Sequence, residues 1–221
     1  EKFVIPFIES SLPVEAGTEV LEIGCGEGGN LEPFLEKGCK VTGVDILETK
    51  INNARRFYSD HPQKERIEFI CSDIYSPPEK LKRKFDLIIM RDVLEHIHDQ
   101  ERFLHFVKIF LKPEGKFFLC FSPWQNPFGG HQQMCFNKTL SKMPWIHLLP
   151  GKMYPALLKM GGEPEKRIES LLEIRETRIT IERFRRIIHR ENYKVEKRVL
   201  WFINPNYQVK FGLKPRKQLA L

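Results

Sequence analysis

The chain has 221 residues, a length that fits one α/β domain with a sizeable core. Apolar residues make up 41% of it, as in ordinary globular proteins, and no apolar run is long enough to span a bilayer. The formal net charge is +7, and residues 159–221 carry all of the excess, with sixteen basic and eight acidic side chains. Because acids interleave with these bases, a solvated helix face explains the pattern as well as a nucleic-acid surface does, and specific nucleic-acid binding is not expected.

The five cysteines are widely spaced and include no C-x-x-C pair. We interpret them as free thiols of a reducing compartment. Since the chain also shows no secretory signal, the sequence predicts a cytoplasmic protein. No pattern in it indicates an oligomeric state.

Strands and helices alternate over the first 121 residues. A helix over residues 3–12 is expected to precede the first strand, Asn30 to cap the second helix, and Asp99 to cap the helix after strand four. The predicted strands are Glu19–Ile23, Lys40–Val44, Arg66–Cys71, Phe85–Met90 and Lys116–Phe121, the last preceded by a turn at 112–115. Such an alternation requires a parallel sheet with helices on both faces.

The alternation stops after the fifth strand. Residues 123–177 are rich in Pro, Gly, Trp and Met, and we predict that they form a lid, or substrate cap, inside a single domain of residues 1–221. A helix over 179–190 and two antiparallel strands, 193–203 and 207–211, are expected to follow. The predicted fold is α/β, with a doubly wound, mostly parallel sheet of seven strands and a C-terminal antiparallel hairpin.

The stretch Val20–Asn30 is the most informative part of the chain. An apolar run ends in Gly24-Cys25-Gly26-Glu27-Gly28-Gly29, which is typical of a buried strand that turns sharply into a helix. The glycines let the backbone approach a ligand, and the helix N-terminus offers free N–H groups. Glu22 stands two residues before the first glycine and indicates a positively charged ligand group, such as an ammonium.

Further acids follow the next two predicted strands. Asp45 ends strand two, where a carboxylate can accept hydrogen bonds from ribose hydroxyls, and Asp73 follows strand three, where one can accept from the amine of a base. Ligands of doubly wound sheets bind at these strand ends, so the residues predict a site for a purine nucleoside that carries an amino acid. The glycines also match G-x-G-x-x-G, so an NAD-dependent oxidoreductase is an alternative, although Glu22 would repel a pyrophosphate.

These segments resemble the motifs of the class I S-adenosylmethionine-dependent methyltransferases. The segment Leu21–Gly28 is similar to the first motif of that family, and the resemblance extends firmly over residues 15–122 and loosely over 178–212. It implies an enzyme that uses S-adenosyl-L-methionine to methylate a small-molecule acceptor, with a hydroxyl oxygen as the expected acceptor atom. A protein of this fold that binds the cofactor without catalysis is an alternative of a different class.

The resemblance also implies roles for single residues. Glu22 and the glycine loop would hold the methionine part of the cofactor, Asp45 the ribose, and Asp73 with the Ile74 N–H the adenine. The cofactor-binding residues implied are Glu22, Gly24, Cys25, Gly26, Asp45, Ile46, Asp73, Ile74 and Arg91.

The segment Asp92–His96 is similar to an E-x-x-E-H pattern found in quinone-biosynthesis O-methyltransferases and small-RNA 2′-O-methyltransferases, where it can bind a divalent cation. If the segment is helical, Asp92 and His96 share one face with Glu95 beside them, and the three suit Mg²⁺, Mn²⁺ or Zn²⁺. We expect that these residues line the pocket without a metal, and the divalent-cation site is the alternative. RNA 2′-O-methylation is a second function open to the same residues.

A hydroxyl acceptor must lose its proton to a base or at a metal. His96 is the first candidate for the catalytic base, because imidazole titrates near neutral pH. His131 lies in a glycine-flanked loop just past strand five and is the second candidate.

Overall fold

A five-stranded parallel sheet forms the centre of the computed structural model, which describes residues 3–205, 207–208 and 212–218. The strand order is β3-β2-β1-β4-β5. The strands are β1 Glu19–Ile23, β2 Lys40–Asp45, β3 Ile67–Cys71, β4 Phe85–Arg91 and β5 Leu111–Cys120. The order reverses between β1 and β4, so the topological switch point lies where the glycine loop leaves β1.

Helices cover both faces of this sheet. Successive strand residues point to opposite faces, so Val20 packs in one core and Leu21 in the other. The helices on the Val20 side are α1 Val4–Glu9, α2 Glu32–Glu36 and α3 Glu48–Phe57, and those on the Leu21 side include α4 Gln100–Val107 and α7 Ile181–Arg190. The predicted doubly wound α/β architecture is confirmed.

The fifth strand is longer than predicted. Phe85 pairs with Leu111, whereas Leu87 pairs with Lys116, so the intervening residues 112–115 bulge out of register. The predicted turn is therefore a bulge inside one strand. It places Lys112 Nζ 2.9 Å from both Glu19 Oε2 and Asp86 Oδ2, which ties β5 to the start of β1.

The antiparallel pair near the C-terminus forms a sheet of its own. It joins β6 Trp201–Ile203 to β7 Arg216–Lys217, so the antiparallel arrangement is confirmed with different strands. Residues 193–200 are not a strand, residues 207–208 are helical, and 209–211 lie outside the described residues. A single seven-stranded sheet is thus not confirmed. Tyr193 packs beneath α4 instead, where its hydroxyl donates to Leu104 O at 2.7 Å.

Residues 123–177, called the cap from here on, have an apolar cluster of their own. They contain α5 Met153–Met160, α6 Glu165–Thr177 and short 3₁₀ helices. The buried members of the cluster are Cys135, Leu140, Ile146, Tyr154, Leu158, Ile168 and Leu171. Of these helices, α6 has 13 residues and α5 has 8. Whether the cap acts as a lid stays a prediction.

Asp99 caps α4 as the sequence predicts, since its Oδ1 accepts a hydrogen bond from Arg102 N at 3.0 Å. Asp99→Ala should lower the free energy of unfolding by about 1 kcal/mol, because an N–H of the first turn loses its acceptor. Urea unfolding measures the change. Asp99→Ser keeps an acceptor and should retain most of the stability, and equal loss in both variants would contradict the capping role.

Candidate active site

The glycine loop, residues 24–29, joins β1 to α2 at the switch point. Gly24 has a φ of +72°, and a Cβ atom there would overlap the side chain of Val93 in the segment after β4. Gly28 has a φ of +82°, and a Cβ atom there would lie 2.7 Å from the Phe69 ring. Glycine is required at both positions, and it brings the loop backbone close to the ends of β3 and β4.

Glu22, on β1, is fully buried beside this loop. Its Oε1 accepts a hydrogen bond from Asn30 Nδ2 at 2.7 Å, and Asn30 Oδ1 accepts one from Arg91 Nη1. Burial raises the pKa of Glu22 to about 7, while the Asn30 hydrogen bond and the Arg91 charge act in the opposite direction. Within the described residues, Glu22 Oε2 and Arg91 Nε are buried without a hydrogen-bond partner, so the site keeps one unused acceptor and one unused donor.

Asn30 is not the helix cap that the sequence predicts. Leu31 occupies the position before α2, and no side chain caps that helix. The Asn30 amide instead turns back to bridge Glu22 and Arg91, a contact that depends on the fold and has no local sequence signal.

The other two predicted carboxylates end the neighbouring strands. Asp45 Oδ2 accepts from Gly26 N and Asp45 Oδ1 from Leu47 N, both at 2.9 Å. Asp73 Oδ1 accepts from Tyr75 N at 2.9 Å. Each carboxylate oxygen has two lone pairs, so both side chains are fixed by the backbone and still able to accept from a ligand.

Adjacent strands bring these acids to one edge of the sheet. Asp45 pairs in register with Cys71 at the end of β3, and its charge raises the pKa of Glu22 on β1. Ile46 follows Asp45 and is 68% exposed, which leaves an apolar surface beside the two aspartates. Ile74 is half-buried next to Asp73. The buried thiol of Cys25 has a strongly raised pKa because of burial and the Glu22 charge, so it is protonated and unreactive.

A second group of polar side chains follows β4. Glu95, His96 and His131 place their potential ligand atoms within 4.8 Å of one another. His131 Nε2 lies 3.8 Å from Glu95 Oε1, and the two imidazole rings are 5.1 Å apart. Glu95 is buried, and its Oε1 also accepts from Ser122 N at 3.2 Å. We call these three residues the histidine cluster.

The helical face expected for Asp92 and His96 does not form. Asp92 has a φ of +54°, in the left-handed region, and the 3₁₀ helix Leu94–His96 begins only after it. Asp92 N donates to Cys120 O at 2.9 Å, which fixes it to the end of β5. Asp92 is therefore outside the histidine cluster, and His131 takes the third place in it.

His96 has a shifted pKa and His131 has a strained backbone, and each feature is typical of a functional group. Desolvation lowers the pKa of His96, and the neighbouring His131 lowers it further, so His96 is neutral at pH 7 and can accept a proton. His131 has a φ of +56°, a conformation that costs a non-glycine residue about 1 kcal/mol or more. Its backbone N donates to Phe128 O at 3.1 Å, and its backbone O accepts from Met134 N at 2.9 Å.

Two buried residues that the sequence did not single out support the histidine cluster from behind. Thr177 Oγ1, at the end of α6, donates to Glu95 O. Gln100 Nε2 donates to Leu94 O at 3.3 Å and to Thr177 O. These partners are 6 to 82 positions apart in the chain, so no spacing rule could have found them all.

Comparison with known proteins identifies the class to which this fold and site belong. The methyltransferase domain family matches residues 3–150, so the chain belongs to that family. The resemblance to class I S-adenosylmethionine-dependent methyltransferases is thereby confirmed. No helix in the described part of the chain is long and apolar enough to cross a membrane.

Individual relatives agree with this class. A ubiquinone biosynthesis O-methyltransferase of Coxiella burnetii is 33% identical over 114 residues, which are 52% of this chain and 47% of that protein. The mitochondrial enzyme of the same name from Homo sapiens is 33% identical over 104 residues, 47% of this chain and 28% of that one. The match thus spans about half the length of the bacterial relatives.

Among solved structures, a glycopeptide N-methyltransferase, MtfA, complexed with S-adenosyl-L-methionine shares 23% identity with this chain. The alignment covers 51% of this chain and 50% of that one, with a TM-score of 0.44. A likeness of that size supports no inference about the ligand.

The raised pKa of Glu22 has a measurable effect on stability. Its carboxyl ionises near pH 4.5 in the unfolded chain and near pH 7 in the folded one, so the folded protein should lose stability as the pH rises through this window. The loss is about 3 kcal/mol. Urea unfolding of the cofactor-free protein at pH 5 and pH 8 should show it in the wild type and not in Glu22→Gln, and parallel pH profiles of the two would refute the buried neutral acid.

Proposed function

We propose that the chain binds S-adenosyl-L-methionine and transfers its methyl group to a hydroxyl oxygen of a small molecule. The observation that carries this proposal is the row of carboxylates, Glu22, Asp45 and Asp73, at the ends of three adjacent strands beside a glycine loop. Family membership supports methyl transfer, and the names of the relatives support oxygen as the acceptor atom. Family membership also removes the NAD-dependent oxidoreductase.

The unused atoms at the switch point suit the amino-acid end of this cofactor. Glu22 Oε2 is a buried acceptor that an ammonium group would pair with, and Arg91 Nε is a buried donor that fits a carboxylate. Asn30 links the two side chains and fixes their spacing. The backbone of Gly24, Cys25 and Gly26 would pass beside the same part of the molecule.

The nucleoside end would follow the strand ends outward. Asp45 keeps lone pairs for the ribose hydroxyls, and Asp73 keeps one oxygen for the adenine amine, beside the Ile74 N–H. The exposed side chain of Ile46 supplies an apolar surface for the base between them. The Ile46 side chain is 68% exposed in the free protein, and the bound base would cover this apolar surface.

The bound cofactor supplies an activated methyl group on a sulfonium, so the protein must position the acceptor, exclude water and remove a proton. His96, neutral at pH 7, takes the proton from the acceptor hydroxyl. The Glu95 carboxylate raises the pKa of His96 and so stabilises the imidazolium that forms. His131 lies beside both groups and is the second residue available to the acceptor. We propose that the cap, which packs around His131, closes this end of the site to solvent.

The histidine cluster also offers three ligands for a divalent cation, one carboxylate oxygen and two imidazole nitrogens. A cation there would lower the pKa of the acceptor hydroxyl directly and would replace His96 as the activating group. Titration with Mn²⁺, followed by its electron paramagnetic resonance signal, distinguishes activation by a metal from activation by His96 as a base. Binding that His96→Gln and His131→Gln both abolish supports the metal, and unaffected binding excludes it from the cluster.

Cofactor binding tests the proposal directly. We expect S-adenosylhomocysteine to bind the wild type with low-micromolar affinity in calorimetry, and Asp45→Asn to weaken it about tenfold or more, because charged hydrogen bonds to the ribose are lost. Asparagine retains an acceptor for a backbone N–H. The exposed Asp60→Asn is the matched control and should bind as the wild type does. Tight NAD binding without S-adenosylhomocysteine binding would overturn the proposal.

The role of His96 is tested by turnover. His96→Gln should lower kcat by about a hundredfold or more with a panel of small phenols and catechols, because the general base is lost. The dissociation constant of S-adenosylhomocysteine should stay within a few-fold. His98→Gln, two residues on and exposed, is the control and should retain full turnover. Equal kcat in His96→Gln and wild type would eliminate His96 as a base or metal ligand. Efficient methylation of RNA, without methylation of any phenol, would make RNA the acceptor.

A further inference from the structure

The cap contains an unusual share of buried polar atoms that lack partners. Of the twelve such side-chain atoms in the described part of the chain, six lie in the cap, and three more belong to Glu22, Arg91 and Glu95 in the site above. Those in the cap are Gln132 Oε1, Gln133 Oε1, His147 Nδ1, Tyr154 Oη, Arg167 Nε and Arg175 Nη1. Native proteins leave few buried polar atoms unpaired, so this concentration calls for a ligand or for trapped water.

Three of these side chains lie on elements that pack against one another. Tyr154 is on α5, which packs against both α6 and the 3₁₀ helix Ile146–Leu148 that carries His147. Arg175 is on α6, four residues after the buried Leu171, so it lies on the helix face turned toward the cap interior. Tyr154 and His147 are both fully buried, whereas Arg175 is half-buried and reaches the solvent edge of the group.

The charge of Arg175 acts on both neighbours. Burial raises the pKa of Tyr154, Cys135 and the Glu163 carboxylate raise it further, and the Arg175 cation opposes that rise. Burial lowers the pKa of His147, and Arg175 lowers it further. His147 is therefore neutral, and its Nε2, 2.8 Å from Trp124 O, must carry the proton, which leaves Nδ1 as an acceptor. Among the described residues, Arg175 Nη1 is buried and has no hydrogen-bond partner, so this donor is unused.

This group lies next to the histidine cluster. A Cβ atom at Gly130 would overlap the His147 side chain, so His147 packs directly on the residue before His131. On the other side, Thr177, two residues after Arg175, donates its hydroxyl to Glu95 O. Arg175, Tyr154 and His147 thus adjoin the proposed reaction centre on two sides, at the loop of His131 and at the end of α6.

We propose that Arg175, Tyr154 and His147 form the binding site for one end of the methyl acceptor, and that this end carries a carboxylate or phosphate. Arg175 and the Tyr154 hydroxyl donate to the negatively charged oxygens, and His147 Nδ1 accepts from a hydroxyl or N–H of the same molecule. This inference rests on the proposed function, because it assigns the substrate class of that site. A guanidinium binds both oxyanions through paired hydrogen bonds, so the shared chemistry is an oxyanion.

Trapped water is the competing explanation, and the donor set argues against it. Water can pair with Tyr154 Oη and His147 Nδ1, but it brings no negative charge to the guanidinium, whose Nη1 is buried without a partner among the described residues. An oxyanion satisfies the donors and the charge together.

The test titrates the full-length chain with benzoate and with phenyl phosphate, and uses benzamide as the neutral analogue of benzoate. Arg175→Met should weaken the preferred anion about tenfold to a hundredfold, and Tyr154→Phe about twofold to tenfold, since a charged and a neutral hydrogen bond are lost respectively. Benzamide should bind more weakly than benzoate to the wild type and equally to Arg175→Met. Tighter binding of benzoate indicates a carboxylate site, and tighter binding of phenyl phosphate indicates a phosphate site.

Lys166→Met is the matched control, because it removes the same charge from the exposed face of the same helix and should bind as the wild type does. Urea unfolding of Tyr154→Phe checks the fold, and this variant should be as stable as the wild type, since an unpaired hydroxyl contributes no net stability. Equal anion affinity in wild type and Arg175→Met, or no anion binding to the wild type, would overturn the inference. Titration of the same samples with S-adenosylhomocysteine separates the two proposals, because its failure to bind the wild type defeats the proposed function alone.

Discussion

The candidate site depends on a carboxyl group buried at the point where the sheet reverses its strand order. Glu22 has no exposed surface, and one of its oxygens has no partner among the described residues. Burying such a group is unfavourable unless it is neutral or paired, and burial accordingly raises its pKa to about 7. The Asn30 amide and the Arg91 guanidinium hold it in one orientation. A cationic ligand would complete the arrangement, because it would pair the ionised carboxylate in a place that water does not reach.

Much of this site could be predicted from the sequence because parallel strands impose simple rules. Successive βα units place every strand's carboxyl end at one edge, so a residue at the end of a strand has a predictable position. The positions of Glu22, Asp45 and Asp73 follow from that rule alone. The glycines of the loop were equally readable, since Gly24 and Gly28 adopt a backbone conformation that other residues avoid.

The parts that could not be predicted depend on contacts between distant segments. Asn30 carries a helix-capping pattern, yet tertiary hydrogen bonds to Glu22 and Arg91 outweigh that local preference. Asp92 stands four residues before His96, which favours a shared helix face, but its bond to the end of β5 and its left-handed backbone end that pattern. In both cases a local sequence preference is overridden by tertiary contacts at the candidate site. Functional sites are where local and global preferences are expected to conflict.

The cap and the sheet are linked in a way that bears on how the site works. His131 belongs to the cap in sequence and to the histidine cluster in space, and Thr177 ties the end of α6 to Glu95. His131 is strained, and Trp145, whose backbone N donates to Pro127 O at 2.7 Å, is strained in the same way, with a φ of +60°. Two strained residues on bonded segments require that the cap packing around them be firm. A change in the cap would therefore alter the position of His131. If the proposed roles hold, acceptor binding at the cap and proton removal at the cluster would be coupled.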